Sequence, residues 1–451
     1  MIRIAAIATA TLLLAGCGNT QKIDPMQQVG PNPILPKVAE PLLLPRTNIP
    51  EVAGWKRGEV PTVPNGFRVQ AMATGLMSPR NVYPLPNGDL LVIQALKEAK
   101  EPIERLKNPF FDLIFGFAHS SSLNGPTNRI VLLRDADGNG IPELKSVLLD
   151  HLNSPFGVVL VGNALYVADT DGIIRYPFTP GQTKIPAQGV KVVALPAGLI
   201  NHHWTKSLTA SPDGSKLYVG IGSNSNAGER GPEAETNRAA IWEVDPKTGA
   251  FSVFAGGLRN PNGLNFYPGS NVLWAVVNER DELGSNLVPD YLTSIRKGGF
   301  YGWPYSYYGQ HVDPRVRPQR PDLVARAIVP DYALSSHVAP LGLAFYTGGS
   351  FPAAFRGGAF VGEHGSWNRS ELNGYRVVFI RFAGGRPVGK PMNFVTGFIG
   401  PDGKARGRPV GVAIDRTGAV IIADDVGNAV WRVSYSGAKP GPSGVQTGRH
   451  I

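Results

Sequence analysis

Helix-spaced apolar positions are scarce in this chain beyond its N-terminus. In their place stand short runs rich in Val, Ile, Leu and Tyr, such as "LLVIQ" from Leu90, "ALYVAD" from Ala164 and "AVIIAD" from Ala419. Gly, Pro, Asn and Asp clusters break these runs, as in "PNGD", "SPDG" and "DRTG". Runs of this length between turn formers predict β-strands, so the chain reads as all-β.

The strands come in repeated sets. "SPRNVYPLPNGDLLVIQ" from Ser78, "SPFGVVLVGNALYVADTDGIIRYPF" from Ser154 and "HWTKSLTASPDGSKLYVGIGS" from His203 share one plan. So do "RNPNGLNFYPGSNVLWAVVNE" from Arg259, "HVAPLGLAFYTGGSFPAAFRGGAFVGEHGS" from His337 and "GRPVGVAIDRTGAVIIADDVGNAVWRVSY" from Gly407. Each pass has a polar or Pro-containing turn, a small-plus-apolar strand, a second turn and an apolar strand. Six passes of a sheet-like unit predict a six-bladed β-propeller, in which each blade buries its faces on its neighbours. "GFRVQAMA" from Gly66 has no blade of its own and is expected to close the ring as the outer strand of the last blade. The insertion around residues 97–128 is expected to be a lid or packing element, being too short and irregular to span a membrane.

The innermost strand of a propeller blade lines the central channel, and the turn leading into it opens at one mouth. Those turns carry Arg80, Asn153, His203, Arg259 with Asn260, His337, and Arg408. A mostly basic and amide ring around one axial pocket reads as a trap for a polyanionic ligand. His202 and His203 are adjacent; if they follow strand alternation, their side chains point to opposite faces, which disfavours a shared metal and makes His202 structural. "DADGNGIPE" (residues 135–143) has the start of a calcium-loop pattern, but an Asp/Gly hairpin turn looks the same and is preferred. "GGFYGWPYSYYG" from Gly298 either stacks a flat ring or packs a loop core.

The N-terminus adds an address. "MIRIAAIATATLLLAGC" has a positive start, an apolar stretch and small residues before Cys17. That is the form of a lipoprotein signal, with residues 1–16 removed and Cys17 lipidated. Gly18 rather than aspartate favours the outer membrane, facing the periplasm. Cys17 is the single cysteine, so no intrachain disulfide forms. Residues 17–60 are Pro-rich and read as an extended tether or strap, 61–436 as the propeller, and 437–451 as a flexible tail. The net charge of +10 over 451 residues comes without a long Lys/Arg run. It fits an anionic ligand or membrane surface and, in an exported protein, argues against nucleic acid.

From residue 61 to 435 the chain resembles the sorbosone dehydrogenase group of soluble sugar dehydrogenases. The likeness is carried by "HHWTKSL…SPDGSKLYV", "GLRNPNGLNFYP", "NERDELGSNLVPDYLTSIRKGGFYGWP", "GEHGSWNRS" and "GRPVGVAIDRTG". The resemblance implies a six-bladed propeller that oxidises an aldose with pyrroloquinoline quinone and calcium. It implies His203 as the catalytic base, Arg259 and Asn260 on the quinone, with Arg259 also stabilising charge on it, and Arg408 on a cofactor carboxylate. Asn153 joins the cofactor pocket. Arg369 is expected to substitute for a lysine those relatives bring from the fifth blade, which has no clear counterpart here. "NERD" (278–281) stands where the group supplies calcium ligands, which points to the backbone carbonyls of Arg280 and Asp281. The partners implied are a sugar and a quinone or cytochrome acceptor. Two other classes stay open on the residues alone: a propeller lactonase with a side-chain-held calcium, disfavoured by the basic ring, and a noncatalytic scaffold lipoprotein.

Overall fold

The computed structural model describes residues 23–39, 47–97, 127–198 and 200–437. The expected signal, Cys17, most of the 97–128 insertion and nearly all of the tail lie outside them. The strands form six main sheets, each built on four strands. Blade 1 runs Pro79–Pro84, Leu90–Gln94, Arg129–Arg134 and Leu144–Leu149; blade 2 runs Gly157–Val161, Ala164–Asp169, Gly172–Pro177 and Val190–Ala194. The inner strands of blades 3 to 6 are Lys206–Ala210, Asn260–Phe266, Pro340–Phe345 and Pro409–Ile414. Each inner strand touches the next, and that of blade 6 touches that of blade 1, so the ring is closed. Phe67–Ala73 pairs antiparallel with Ala429–Tyr435 and completes blade 6 from the other end of the chain, as the orphan segment predicts.

The second strand of each blade is covered on both faces. Leu90–Gln94, Leu217–Ile221, Ala359–Glu363 and Val420–Asp424 are buried at every position. This accounts for unbroken apolar runs where a half-exposed strand would alternate. Neighbouring blades share the resulting core: Leu91, Ile93, Leu132 and Leu148 of blade 1 pack with Val158, Leu165 and Tyr176 of blade 2.

Most of these runs end in a buried polar residue on the mouth side: Gln94, Asp169, Glu363 and Asp424. Asp424 ties down the leading turn of its own blade, its Oδ1 taking the amide of Arg408 at 2.8 Å, and the Asn153 amide at the start of blade 2 lowers the Asp169 carboxyl against its burial.

Before the first blade, the chain crosses the mouth-side loops of blades 4 to 6 as a strap. Val29–Gly30 adds to the outer strand of blade 4, Tyr332–Ser336. Ala39 donates its amide to Leu283, Asn48 to Trp367 and Ala53 to Ala405. The Asp135–Glu143 segment is a turn held by side chains, with the amides of Gly140 and Ala136 on Asp135 and Glu143. Tyr301, Trp303, Tyr307 and Tyr308 are buried, so the aromatic-rich segment packs a loop core.

Burial pushes Asp169 up to about 7, and its Oδ1 has no partner. The unfolded carboxyl titrates near ~3.9, so between these values the folded state binds more protons and stability falls as pH rises. Asp169→Asn removes that slope. In urea unfolding at pH 4.5 and pH 8, wild type should lose stability relative to the variant at the higher pH; parallel behaviour would refute the assignment.

Candidate functional site

The leading turns converge on one end of the channel. Below them Phe156, Leu341 and Val410, from blades 2, 5 and 6, meet as a buried apolar cluster. A cavity of about 390 Å³ further along the channel is lined by all six inner strands and carries no acid, arginine, lysine or histidine. Among the described residues, the titratable side chains of the channel gather at the mouth.

The histidine turn is held from beneath by two buried basic side chains. Arg238 donates to the Gly222 carbonyl at 3.1 Å, to Asn201 Oδ1 at 2.9 Å and to the His203 carbonyl at 3.4 Å. Lys206, fully buried, donates to the carbonyls of Trp204 at 3.0 Å and His203 at 3.4 Å. Burial drives its ammonium well below the usual lysine range.

His203 Nδ1 lies 2.8 Å from the Ser223 carbonyl. A carbonyl only accepts, so Nδ1 carries the proton and the lone pair of the neutral ring sits on Nε2. Burial, then His202 and Arg259, holds this imidazole well below its ordinary value. It is therefore a neutral base at physiological pH. Gly222 makes room for the pairing: a Cβ there would fall 2.5 Å from His203 Cβ and 2.5 Å from Asn260 Oδ1. That Asn260 oxygen is buried without a partner.

The expectation that His202 points to the opposite face is corrected. The two imidazole centroids are 4.5 Å apart and edge to face. Residues 202 and 203 form a bend, and the strand begins only at Lys206, so strand alternation does not reach them. The His202 ring is exposed by area yet stands in a crowded recess. Desolvation first, then Arg259, pulls it down to about 4.

Arg259 is almost entirely committed to protein. It donates to the carbonyl and Oδ1 of Asn226 at 3.1 and 2.9 Å, to the Glu279 carbonyl at 2.6 Å and to Asp281 Oδ2 at 2.9 Å. Asn226 also accepts the Asp281 amide and the Trp303 indole, which makes it the joint between the blade 3 and blade 4 loops. The Asp281 carboxylate bridges Arg259 and His337 Nδ1, the latter at 3.3 Å. Its carbonyl already accepts Arg280 Nε at 3.0 Å and Asn226 Nδ2 at 3.3 Å. The Arg280 guanidinium is buried on Asp313, while its carbonyl has no hydrogen bond among the described residues.

Across the mouth Asp425 pairs with Arg80 and, at 3.0 Å, with His364 Nε2. Those partners outweigh burial and hold its carboxyl well down. Arg80 lies over the Trp204 ring at 5.5 Å, and its Nε is buried without a partner. Arg408 donates to the carbonyls of His364 at 2.9 Å and Gly365 at 2.8 Å, beside Tyr375 at 5.1 Å. The ring is thus less basic than its leading turns imply, because Asp281 and Asp425 sit among the arginines. Both lie just after a run that ends in Asn278 or Asp424, a position visible in the sequence, although "NERD" reads there as ligand carbonyls and "ADDVGN" only as part of the last blade.

Asn153 is half-buried and reaches the histidine turn through Thr170: its carbonyl takes the Thr170 amide at 2.9 Å, and Thr170 Oγ1 donates to the Trp204 carbonyl. Arg369 is not brought to this group. Its guanidinium is buried on the Ser285 carbonyl at 2.8 Å, joining the blade 4 and 5 loops.

Comparison with known proteins bears on the fold and the family. The profile of the glucose/sorbosone dehydrogenase family matches residues 173–377, and a TrAA12-like profile matches 323–436. An uncharacterized protein of Borreliella burgdorferi is 30% identical over 294 residues, covering 63% of this chain and 76% of that protein. The aldose sugar dehydrogenase YliI of Escherichia coli is 32% identical over 116 residues, 26% of each chain. Two solved structures share the fold. The calcium structure of a Trichoderma reesei family AA12 enzyme superposes with TM-score 0.66 at 20% identity, over 87% of this chain and 98% of that one. The holo pyranose dehydrogenase PQQ domain of Coprinopsis cinerea gives 0.66 at 19%, over 86% and 100%. With the six-bladed ring and these matches together, the chain belongs to the glucose/sorbosone dehydrogenase family.

Proposed function

We propose that this chain oxidises the anomeric or aldehyde carbon of a sugar at the mouth, with hydride passing to pyrroloquinoline quinone held there beside calcium. As a family member it is an oxidoreductase of the sugar-dehydrogenase type. The observation that carries the finer reading is His203, fixed in one tautomer beside Gly222, whose other flank is an Asn260 oxygen that lacks a partner. The PQQ-bound aldose sugar dehydrogenase of Streptomyces coelicolor shares the fold at TM-score 0.53, with 18% identity over 83% of this chain and 99% of that one.

The donor set fits a flat tricarboxylate. Arg80 Nε and Arg408 Nη1 have no protein partner among the described residues and suit carboxylate oxygens. Arg259, its N–H groups largely committed, contributes positive potential more than new hydrogen bonds. Asn260 supplies an amide beside it. The free carbonyl of Arg280 suits a hard cation better than the doubly occupied carbonyl of Asp281. Bound there, quinone and calcium supply a polarised two-electron acceptor. His203 Nε2 takes the proton of the substrate hydroxyl, and the Ser223 carbonyl stabilises the resulting imidazolium through Nδ1–H. We further propose that Cys17 carries lipid and holds the enzyme on the outer membrane facing the periplasm, where a quinone or cytochrome accepts the electrons.

Apoprotein should gain quinone absorbance stoichiometrically in calcium, and the loaded protein should reduce a dye acceptor with aldoses. Arg408→Ala should weaken uptake without unfolding the ring. No uptake by wild type at any pH would overturn the reading in favour of a scaffold; lactone hydrolysis without quinone would favour the hydrolase.

His203→Ala should retain the quinone and lose turnover by roughly 100-fold or more. In apoprotein, imidazole proton NMR should find His203 neutral at pH 6, because its folded value lies well below 6.5. Unchanged turnover with quinone bound would place the base elsewhere.

Cys17→Ala should move the protein from the membrane fraction to the soluble periplasm. Mass spectrometry showing an unmodified wild-type cysteine would remove the anchor.

A further inference from the structure

Late in the strap, one side chain reaches toward the mouth. Trp55 donates Nε1–H to Asp424 Oδ2 at 2.7 Å. Its ring meets Trp431 at 5.1 Å and Phe398 at 5.6 Å, both edge to face. Asp424 is fully buried at the end of the second strand of blade 6. Its Oδ1 accepts the amides of Arg408 and Gly427, each at 2.8 Å, and its Oδ2 also accepts the Trp431 indole at 3.1 Å. Two glycines make the arrangement possible. A Cβ at Gly427 would stand 2.4 Å from Trp55 Nε1, and one at Gly407 would stand 2.1 Å from Asp424 Oδ2.

We propose that Trp55 is a positioning residue for Arg408: the N-terminal strap, through the Asp424 carboxylate, fixes the backbone from which the mouth arginine projects. This rests on the reading that Arg408 holds a carboxylate of the quinone.

The physical case is one of donors on a buried anion. A carboxylate without water needs its lone pairs filled, and here four N–H groups fill them. Even so, burial has pushed Asp424 up to about 6. Removing the strongest side-chain donor raises it further. A protonated carboxyl then gives up acceptor capacity, and the Arg408 amide is among the groups that depend on it. The guanidinium is set by the same backbone, being held on the carbonyls of His364 and Gly365 with Nη1 left toward the ligand. The rest of the strap is anchored independently, by Glu59 on Arg406 at 3.0 Å and by the mutual backbone bonds of Thr62 and Thr396 at 2.9 Å. Loss of the indole N–H should therefore leave the strap in place.

Trp55→Phe keeps the edge-to-face ring and removes only the donor. In apoprotein, hydrogen exchange at the Arg408 and Gly427 amides should quicken by about ten- to a hundredfold, the scale of one hydrogen bond to a charged group. Exchange in Ala164–Asp169 should not change. Affinity for pyrroloquinoline quinone in calcium should fall by a similar factor. In an Arg408→Gln background, Trp55→Phe should weaken uptake no further, whereas a role in stability alone would give additive losses. If Trp55→Phe unfolds, Asp424→Asn should give the same local exchange and the same loss of affinity. Unchanged exchange at Arg408, unchanged affinity, or additivity with Arg408→Gln would each overturn the proposal. If wild type takes up no quinone but exchange at Arg408 still quickens, the cofactor reading fails and the backbone link stands.

Discussion

Everything at the mouth depends on the ring being closed. Phe67–Ala73 zips onto Ala429–Tyr435, and the inner strands of blades 6 and 1 then touch. Closure fixes six leading turns around one axis. It also removes two sheet edges that would otherwise expose unpaired backbone. Phe67 adds aromatic contact at the seam, packing on Phe351, Phe355 and Phe394 of blade 5 and Tyr435 of blade 6. The geometry of the mouth is thus inherited from contacts far from it.

Within the ring, buried charge is arranged so that most anions face a cation or several N–H donors. Arg259–Asp281–His337 and Arg80–Asp425–His364 form two chains on opposite sides of the mouth, each with an aspartate between an arginine and a histidine. Pairs of this kind are poor sources of net stability, since desolvation opposes the Coulomb gain. Their value lies in fixing side chains in one geometry before a ligand arrives. Burial also pushes Glu279 and Asp290 up to about 7 behind the first chain. Adding carboxylates there costs less when some of them carry protons.

The strap gives these loops a second layer of restraint. It contacts loops of blades 4, 5 and 6, the half of the ring that holds Asp281, His337 and Arg408. The other half has the histidine turn, supported instead by Lys206 and Arg238. The mouth is therefore held by two unrelated devices, one from buried basic side chains within a blade and one from a segment that precedes all blades.

The sequence by itself determined the blade count, the closing strand and the turns that carry His203, Arg259, Asn260 and Arg408. Those follow from short-range patterns: apolar runs between turn formers, repeated six times. It could not determine what each side chain would meet. Arg259 reads as a free cation, yet folding brings Asn226 and Asp281 from two other loops to occupy it. Arg369 reads as a cofactor arm, yet Ser285 takes its guanidinium. His202 reads as turned away because alternation was extended into a bend that has no strand geometry. His364 and Trp55 carried no local signal at all, and Asp425 only its position just after a strand. Their roles exist only because closure sets segments hundreds of positions apart within hydrogen-bond reach, and hydrogen bonding is a matter of ångströms that sequence spacing does not encode.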